Sequence, residues 1–107
     1  MTSGIKITEI KLGEGPEAIK GSLVSVRCRY YLNRGQPLRM DNELTRFKIG
    51  SRDVIAGLEK GVIGMRVGGT RRLRISPHLA YGETGVEGLI PPLAVLICEV
   101  ELVGIEG

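Results

Sequence analysis

The segment from Thr70 to Pro92, TRRLRISPHLAYGETGVEGLIPP, constrains this chain more than any other. It starts as an alternating strand and then runs through Gly82, Gly85, Gly88, Pro91 and Pro92. Irregular loops of this length are uncommon inside a small domain and are usually functional or disordered. Leu79, Tyr81, Val86, Leu89 and Ile90 make this one too apolar for a disordered linker. An apolar loop must fold back onto something, so the segment is a candidate wall of a binding pocket.

The remaining sequence supplies a surface for it. A chain of 107 residues is expected to form one domain spanning 1–107, large enough for a core without metals or disulfides. With three Tyr, one Phe and no Trp, aliphatic side chains must fill that core. Ile5, Ile7, Ile10 and Leu12 give a first strand with a slip in alternation near Thr8. From Ser22 to Leu32 the alternation is clean, with Val24, Val26, Cys28 and Tyr30 on one face and Ser25, Arg27 and Arg29 on the other. Asn33 to Gln36 reads as a hairpin turn. Leu38 to Ile49 is expected to hold a broken third strand with Phe47 and Ile49 inward.

Arg52 to Val62 is the helix candidate, capped by Ser51 or Asp53, with Ile55, Leu58, Glu59 and Val62 at helical spacing. Gly57 weakens its interior by about 1 kcal/mol relative to Ala, and Gly61 and Gly64 mark its exit. Arg71, Leu73 and Ile75 belong to a fourth strand. Val95 to Val103 form a fifth, with Leu96, Cys98, Val100 and Leu102 on one face and Glu99 and Glu101 opposite. Five strands and one short helix imply an α+β domain, the helix packed on one face of an antiparallel sheet. A cleft is then expected between the helix start, the sheet face and the long loop, lined by aliphatic groups with Tyr81 as a polar handle.

Charge is uneven along the chain. Residues 27–74 carry ten Arg and two Lys against four acids, whereas residues 75–107 carry five acids and no base. A basic patch could attract nucleic acid. No nucleic-acid motif accompanies the arginines, so antiparallel pairing that interleaves the two segments is the better reading. The N-terminal MTSGIKITEIKLG lacks the apolar run of a signal peptide. The run from Leu89 to Cys98 is too short for a bilayer and is broken by Pro91 and Pro92. A cytosolic chain without membrane or nucleic-acid partners is expected.

Residues 54–102 resemble the second half of an FKBP-type peptidyl-prolyl isomerase. The marks are Val54-Ile55, Gly57-Leu58-Glu59-x-Gly61, Met65-x-Val67-Gly68, Ile75-Ser76-Pro77, Ala80-Tyr81-Gly82, Gly88-Leu89-Ile90-Pro91-Pro92 and Val100-Glu101-Leu102. Seven blocks in family order are far more specific than a lone glycine motif. The resemblance covers roughly residues 5–103 and is weaker in its first half. It implies a five-stranded antiparallel sheet wrapped around one short helix, binding prolyl peptides and often macrolides. It also implies that the Tyr81 hydroxyl donates to a substrate carbonyl, that the Ile55 backbone N–H binds another, and that Val54, Ile55, Leu89 and Ile90 form apolar walls.

The departures fall on the pocket lining. The floor position, usually Trp in the family, is Leu58. The strand tyrosine falls at Cys28, the Phe-Asp pair at Leu38-Arg39, a wall aromatic at Thr45, the last-strand phenylalanine at Cys98, and the loop histidine at Val86. Substrate contacts are therefore expected from Val54, Leu58, Val86, Leu89, Ile90, Cys28, Leu38, Arg39 and Cys98, with Tyr81 and Ile55 catalytic. The resulting expectation is a monomeric isomerase of Xaa-Pro bonds in client proteins, weakened, binding macrolides poorly. The alternative is a peptide- or protein-binding module with little turnover.

Plainer readings compete at single residues. Tyr81 could be a core tyrosine, and His78, beside Pro77 with no partner nearby, a surface residue. No Cys/His spacing matches a metal site, and no cofactor is expected. Cys28 and Cys98 read as reduced core thiols. Their matching pocket positions also suggest neighbours under the cleft, able to form a redox-sensitive pair.

Overall fold

The computed structural model describes residues 4–33, 35–38 and 44–106. Strands β1 (Ile5–Lys11), β2 (Leu23–Leu32) and β3 (Thr45–Lys48) precede one helix, α1 (Ala56–Val62). Strands β4 (Thr70–Ile75) and β5 (Leu96–Glu106) follow, separated by a loop that contains a short 3-10 turn at Pro77–Leu79. The strands form one antiparallel sheet in the order β1-β4-β5-β2-β3. The α+β reading therefore holds.

Alternation carries the inner face. Val24, Val26 and Cys28 of β2 are buried, as are Leu96, Cys98, Val100 and Leu102 of β5, and Phe47 and Ile49 close one end. Leu58, Val62, Leu73 and Ile75 complete a single core. On the outer face, Arg27 stands opposite Glu101, and Glu99 lies between Arg29 on β2 and Arg72 on β4. Arg72 reaches Glu99 at 3.6 Å, and Arg71 pairs with Glu9 at 2.6 Å. The acidic strand is thus inserted between two basic ones, which removes the charge asymmetry seen along the chain.

Four local expectations change. The slip in β1 falls between Glu9 and Lys11, not near Thr8: these two pair with Arg71 and Thr70, leaving Ile10 as the extra residue of a bulge. The third strand is limited to Thr45–Lys48; Leu38 instead donates its N–H to the Tyr30 carbonyl beyond the hairpin. The helix starts at Ala56 rather than Arg52, because Arg52 sits at φ 68 and Ser51 is spent on a turn, donating to the Lys48 carbonyl. Glu59 completes that turn by accepting the N–H groups of Gly50 at 2.8 Å and Arg52 at 3.2 Å.

The last change concerns Gly61, which lies inside α1 rather than at its exit. A Cβ at Gly61 would sit 2.3 Å from Leu73 Cδ1, and one at Gly57 would sit 2.4 Å from Ile75 Cγ2. Both glycines let the helix backbone rest directly on β4. The exit is made by Gly64 at φ +87, while Arg71 Nη1 donates to the Gly61 and Ile63 carbonyls at 3.0 and 2.9 Å. Among the described residues no helix is long and apolar enough to cross a membrane.

Candidate functional site

The long loop is held by its own backbone. Ser76 N–H donates to the Gly4 carbonyl, Gly82 N–H to Pro77, Gly85 N–H to Tyr81, and Leu93 N–H to Gly82. At its tip Val86 and Ile90 exchange two bonds of 2.8 and 2.7 Å. The segment thus folds as a closed arm, and Tyr81, Val86, Leu89 and Ile90 turn toward the core. Val86, Leu89, Ile90, Pro91 and Pro92 also line a hollow of about 650 Å³ on this arm.

The expected site residues converge on one apolar cluster. Cys28, Leu58, Ile90 and Cys98 are buried within it, and Leu38, Val54, Ile55, Tyr81, Val86 and Leu89 pack against it half-exposed. The first group is enclosed, and the second presents surface. Arg39 lies outside the described residues. His78 is exposed.

Two polar groups border the cluster. Ile55 precedes the helix at φ −60 and ψ 147, and its carbonyl accepts from Leu58 and Glu59. Among the described residues its N–H has no hydrogen-bond partner. Neither does the Tyr81 hydroxyl. Burial raises the Tyr81 phenol above the ordinary tyrosine value, and the nearby Cys98 adds to the shift, so it stays a proton donor at neutral pH.

Tyr30 is the residue that sequence reasoning left out of the site. It stands directly opposite Cys98, two positions after Cys28 on the same inner face. Burial drives its phenol far above the usual range, followed by the influence of Cys28 and Cys98, with Tyr81 contributing last. The alternation of β2 already placed Tyr30 inward. Its meeting with Tyr81 needed the fold of the loop. Hydrogen bonding from Cys98 holds the Cys28 thiol below the ordinary value, aided by Tyr30 and opposed by burial. Cys98 is pushed up by the same hydrogen bond and by burial.

The fold and this cluster define a small α+β domain in which the residues before the helix and the closed loop both pack half-exposed apolar side chains against one core. The family profile of FKBP-type peptidyl-prolyl cis-trans isomerases matches residues 15–103. FK506-binding protein 1A of Neurospora crassa is 39% identical over 108 residues, covering 97% of this chain and 90% of that protein. The crystal structure of a peptidyl-prolyl cis-trans isomerase from Pseudomonas syringae superimposes with a TM-score of 0.84 at 31% identity, over 96% of this chain and 76% of that one. This chain belongs to the FKBP-type peptidyl-prolyl cis-trans isomerase family. Some relatives are much longer: the 46 kDa FK506-binding nuclear protein of Spodoptera frugiperda is 36% identical over 95% of this chain, which spans only 26% of it.

Proposed function

We propose that this chain catalyses cis-trans isomerisation of Xaa-Pro bonds in peptide and protein clients, more slowly than a cleft lined by aromatic residues would. Prolyl isomerisation breaks no covalent bond. Its barrier, roughly 18–20 kcal/mol for a peptide bond, is the loss of amide resonance. Nothing nucleophilic is required. An apolar cleft disfavours the charge-separated planar amide relative to the twisted one, and fixed donors hold the twisted geometry. The observation that carries this reading is that Tyr81 and Ile55 both pack half-buried against one apolar cluster, and that among the described residues neither the Tyr81 hydroxyl nor the Ile55 N–H has a hydrogen-bond partner. Val54, Leu89 and Val86 supply the adjacent apolar surface, and Leu58, Ile90, Cys28 and Cys98 the floor beneath.

A second reading, a binding module with little turnover, is favoured by that floor, which is aliphatic and sulfur-lined rather than aromatic. The relatives' names record FK506 binding; for this chain we place macrolide affinity low, because aromatic groups supply much of the burial in such sites. We read the chain as a monomer working in the cytosol, where free thiols such as those of Cys28 and Cys98 stay reduced.

A protease-free assay of cis-to-trans relaxation on Xaa-Leu-Pro-Xaa peptides separates the two readings. Acceleration at micromolar protein is expected. A folded chain that leaves the relaxation rate unchanged would leave only the binding module.

A further inference from the structure

We propose that Cys28 and Cys98 form a two-coordinate site for a soft monovalent cation, copper(I), beneath the cleft. The two residues lie on neighbouring strands and face the same side. Cys28 pairs with Val100 and Tyr30 with Cys98, so the cysteines are diagonal neighbours. Both are free and buried.

The diagonal decides between two uses of a thiol pair. Diagonal neighbours in an antiparallel sheet have Cα atoms about 7–8 Å apart. A disulfide needs about 4.4–6.8 Å between Cα atoms and about 3.5–4.5 Å between Cβ atoms. Direct bonding of the sulfurs would therefore require the two central strands to shift. An ion between the sulfurs adds two metal–thiolate bonds of about 2.3 Å each and spans the same diagonal with the strands in place.

The kind of cation follows from the number and softness of the ligands. Among the described residues no group of three or more His, Cys, Asp or Glu could hold a metal. Zinc takes four ligands and calcium six to eight oxygens, so neither is served here. A thiolate pair selects copper(I). Leu73 opposite Cys98 and Val100 opposite Cys28 keep the surroundings apolar. On loading, each S–H bond breaks, two protons leave to solvent, and two S–Cu bonds form. Copper stays at +1 and the site carries one negative charge. Motif spacing in the sequence could not find such a pair, since the ligands come from distant strands.

The assignment is independent of the isomerase reading: a chain inactive on proline peptides would bind copper all the same. The test is anaerobic titration of copper(I) into the reduced whole chain against bicinchoninate, a chromophoric chelator, followed by X-ray absorption of the loaded protein. One copper per chain with two sulfur neighbours is expected. Folded Cys28→Ser and Cys98→Ser proteins should lose binding. Should the serine variants fail to fold, the count of sulfur neighbours in the wild type decides alone. Failure to compete with the chelator, three or more sulfur neighbours, or retention of binding by folded Cys28→Ser would overturn the proposal. So would an internal disulfide formed by peroxide in the metal-free chain without a change in circular dichroism, because the sulfurs would then meet directly.

Discussion

Tyr30 stands directly opposite Cys98 across the β2–β5 pair and shares its inner face with Cys28. This places a phenol among the positions where the aligned aromatics are missing. The ring packs against the core without being fully enclosed, and its hydroxyl is buried enough to resist ionisation.

The ionisation of Tyr30 gives a prediction with a definite sign. Its folded-state value is raised, so its contribution to stability is complete below the ordinary tyrosine value and is lost as pH rises through the folded value. In the unfolded chain the phenol releases its proton near pH 10, and each such proton costs up to about 1.4 kcal/mol per pH unit. Urea unfolding between about pH 8 and pH 11 should show stability falling more steeply in the wild type than in Tyr30→Phe. Parallel curves would remove Tyr30 as a buried phenol.

Tyr81→Phe should slow prolyl isomerisation several-fold or more while leaving the fold intact, because it removes one donor from the rim. Relaxation of the same peptides measures it. An unchanged rate would exclude the hydroxyl from the mechanism.

The Ile55 N–H can be tested by substitution with proline. At φ −60 the backbone already suits a proline ring, and among the described residues the N–H has no partner to lose. Ile55→Pro should therefore remain folded. Its isomerase rate should fall well below that of Ile55→Ala, which truncates the side chain and keeps the donor. Equal rates in the two variants would show that only the side chain matters.

Gly57→Ala and Gly61→Ala reverse the usual effect of such changes. Alanine favours a helix over glycine by about 1 kcal/mol. Here the added Cβ would collide with Ile75 and Leu73, both fully buried. Overpacking of this kind costs about 1–3 kcal/mol. Thermal melting should show both variants destabilised, Gly57→Ala the more because the struck Cγ2 of Ile75 lies next to the stiff branch point of that side chain.

Glu59 ties the turn before the helix to the helix itself, holding Arg52 at its positive φ. Glu59→Ala should cost about 1.5–3 kcal/mol for bonds to a charged acceptor, discounted by the exposure of the turn. Faster amide exchange at Gly50 and Arg52, out of proportion to the rest of the chain, is the readout. Uniform exchange would mean that the tether does not act locally.

Much of this was legible from spacing alone. The inner faces of β2 and β5 follow directly from alternation, because each strand has one wet and one dry side. The start of the helix was not legible. Ser51 and Asp53 look like caps, yet Ser51 serves a turn, and the tether comes from Glu59, a residue that a linear reading assigns only to helical spacing. Spacing along the chain assigns Gly61 to the helix exit because its partner, Leu73, lies on another element. Within the site, the loop and the Val54-Ile55 edge were recoverable from their blocks. Tyr30 was not, since its role depends on which cross-strand neighbours surround it. Their aligned positions suggest that the cysteines are neighbours, and only the register shows that their relation is diagonal.

The order of the strands bears on how the chain becomes a protein. One half of the sheet is β1 with β4, the other β2 with β3, and β5 alone bonds to both. Until residues 96–106 are in place the two halves share no ladder. Both would carry open edges, including the edge that bears Cys28 and Tyr30. Non-local pairing of this kind is slow. A chaperone or a nascent-chain factor that shields the β2 edge would therefore act on this protein at its most vulnerable stage, before its two halves are joined.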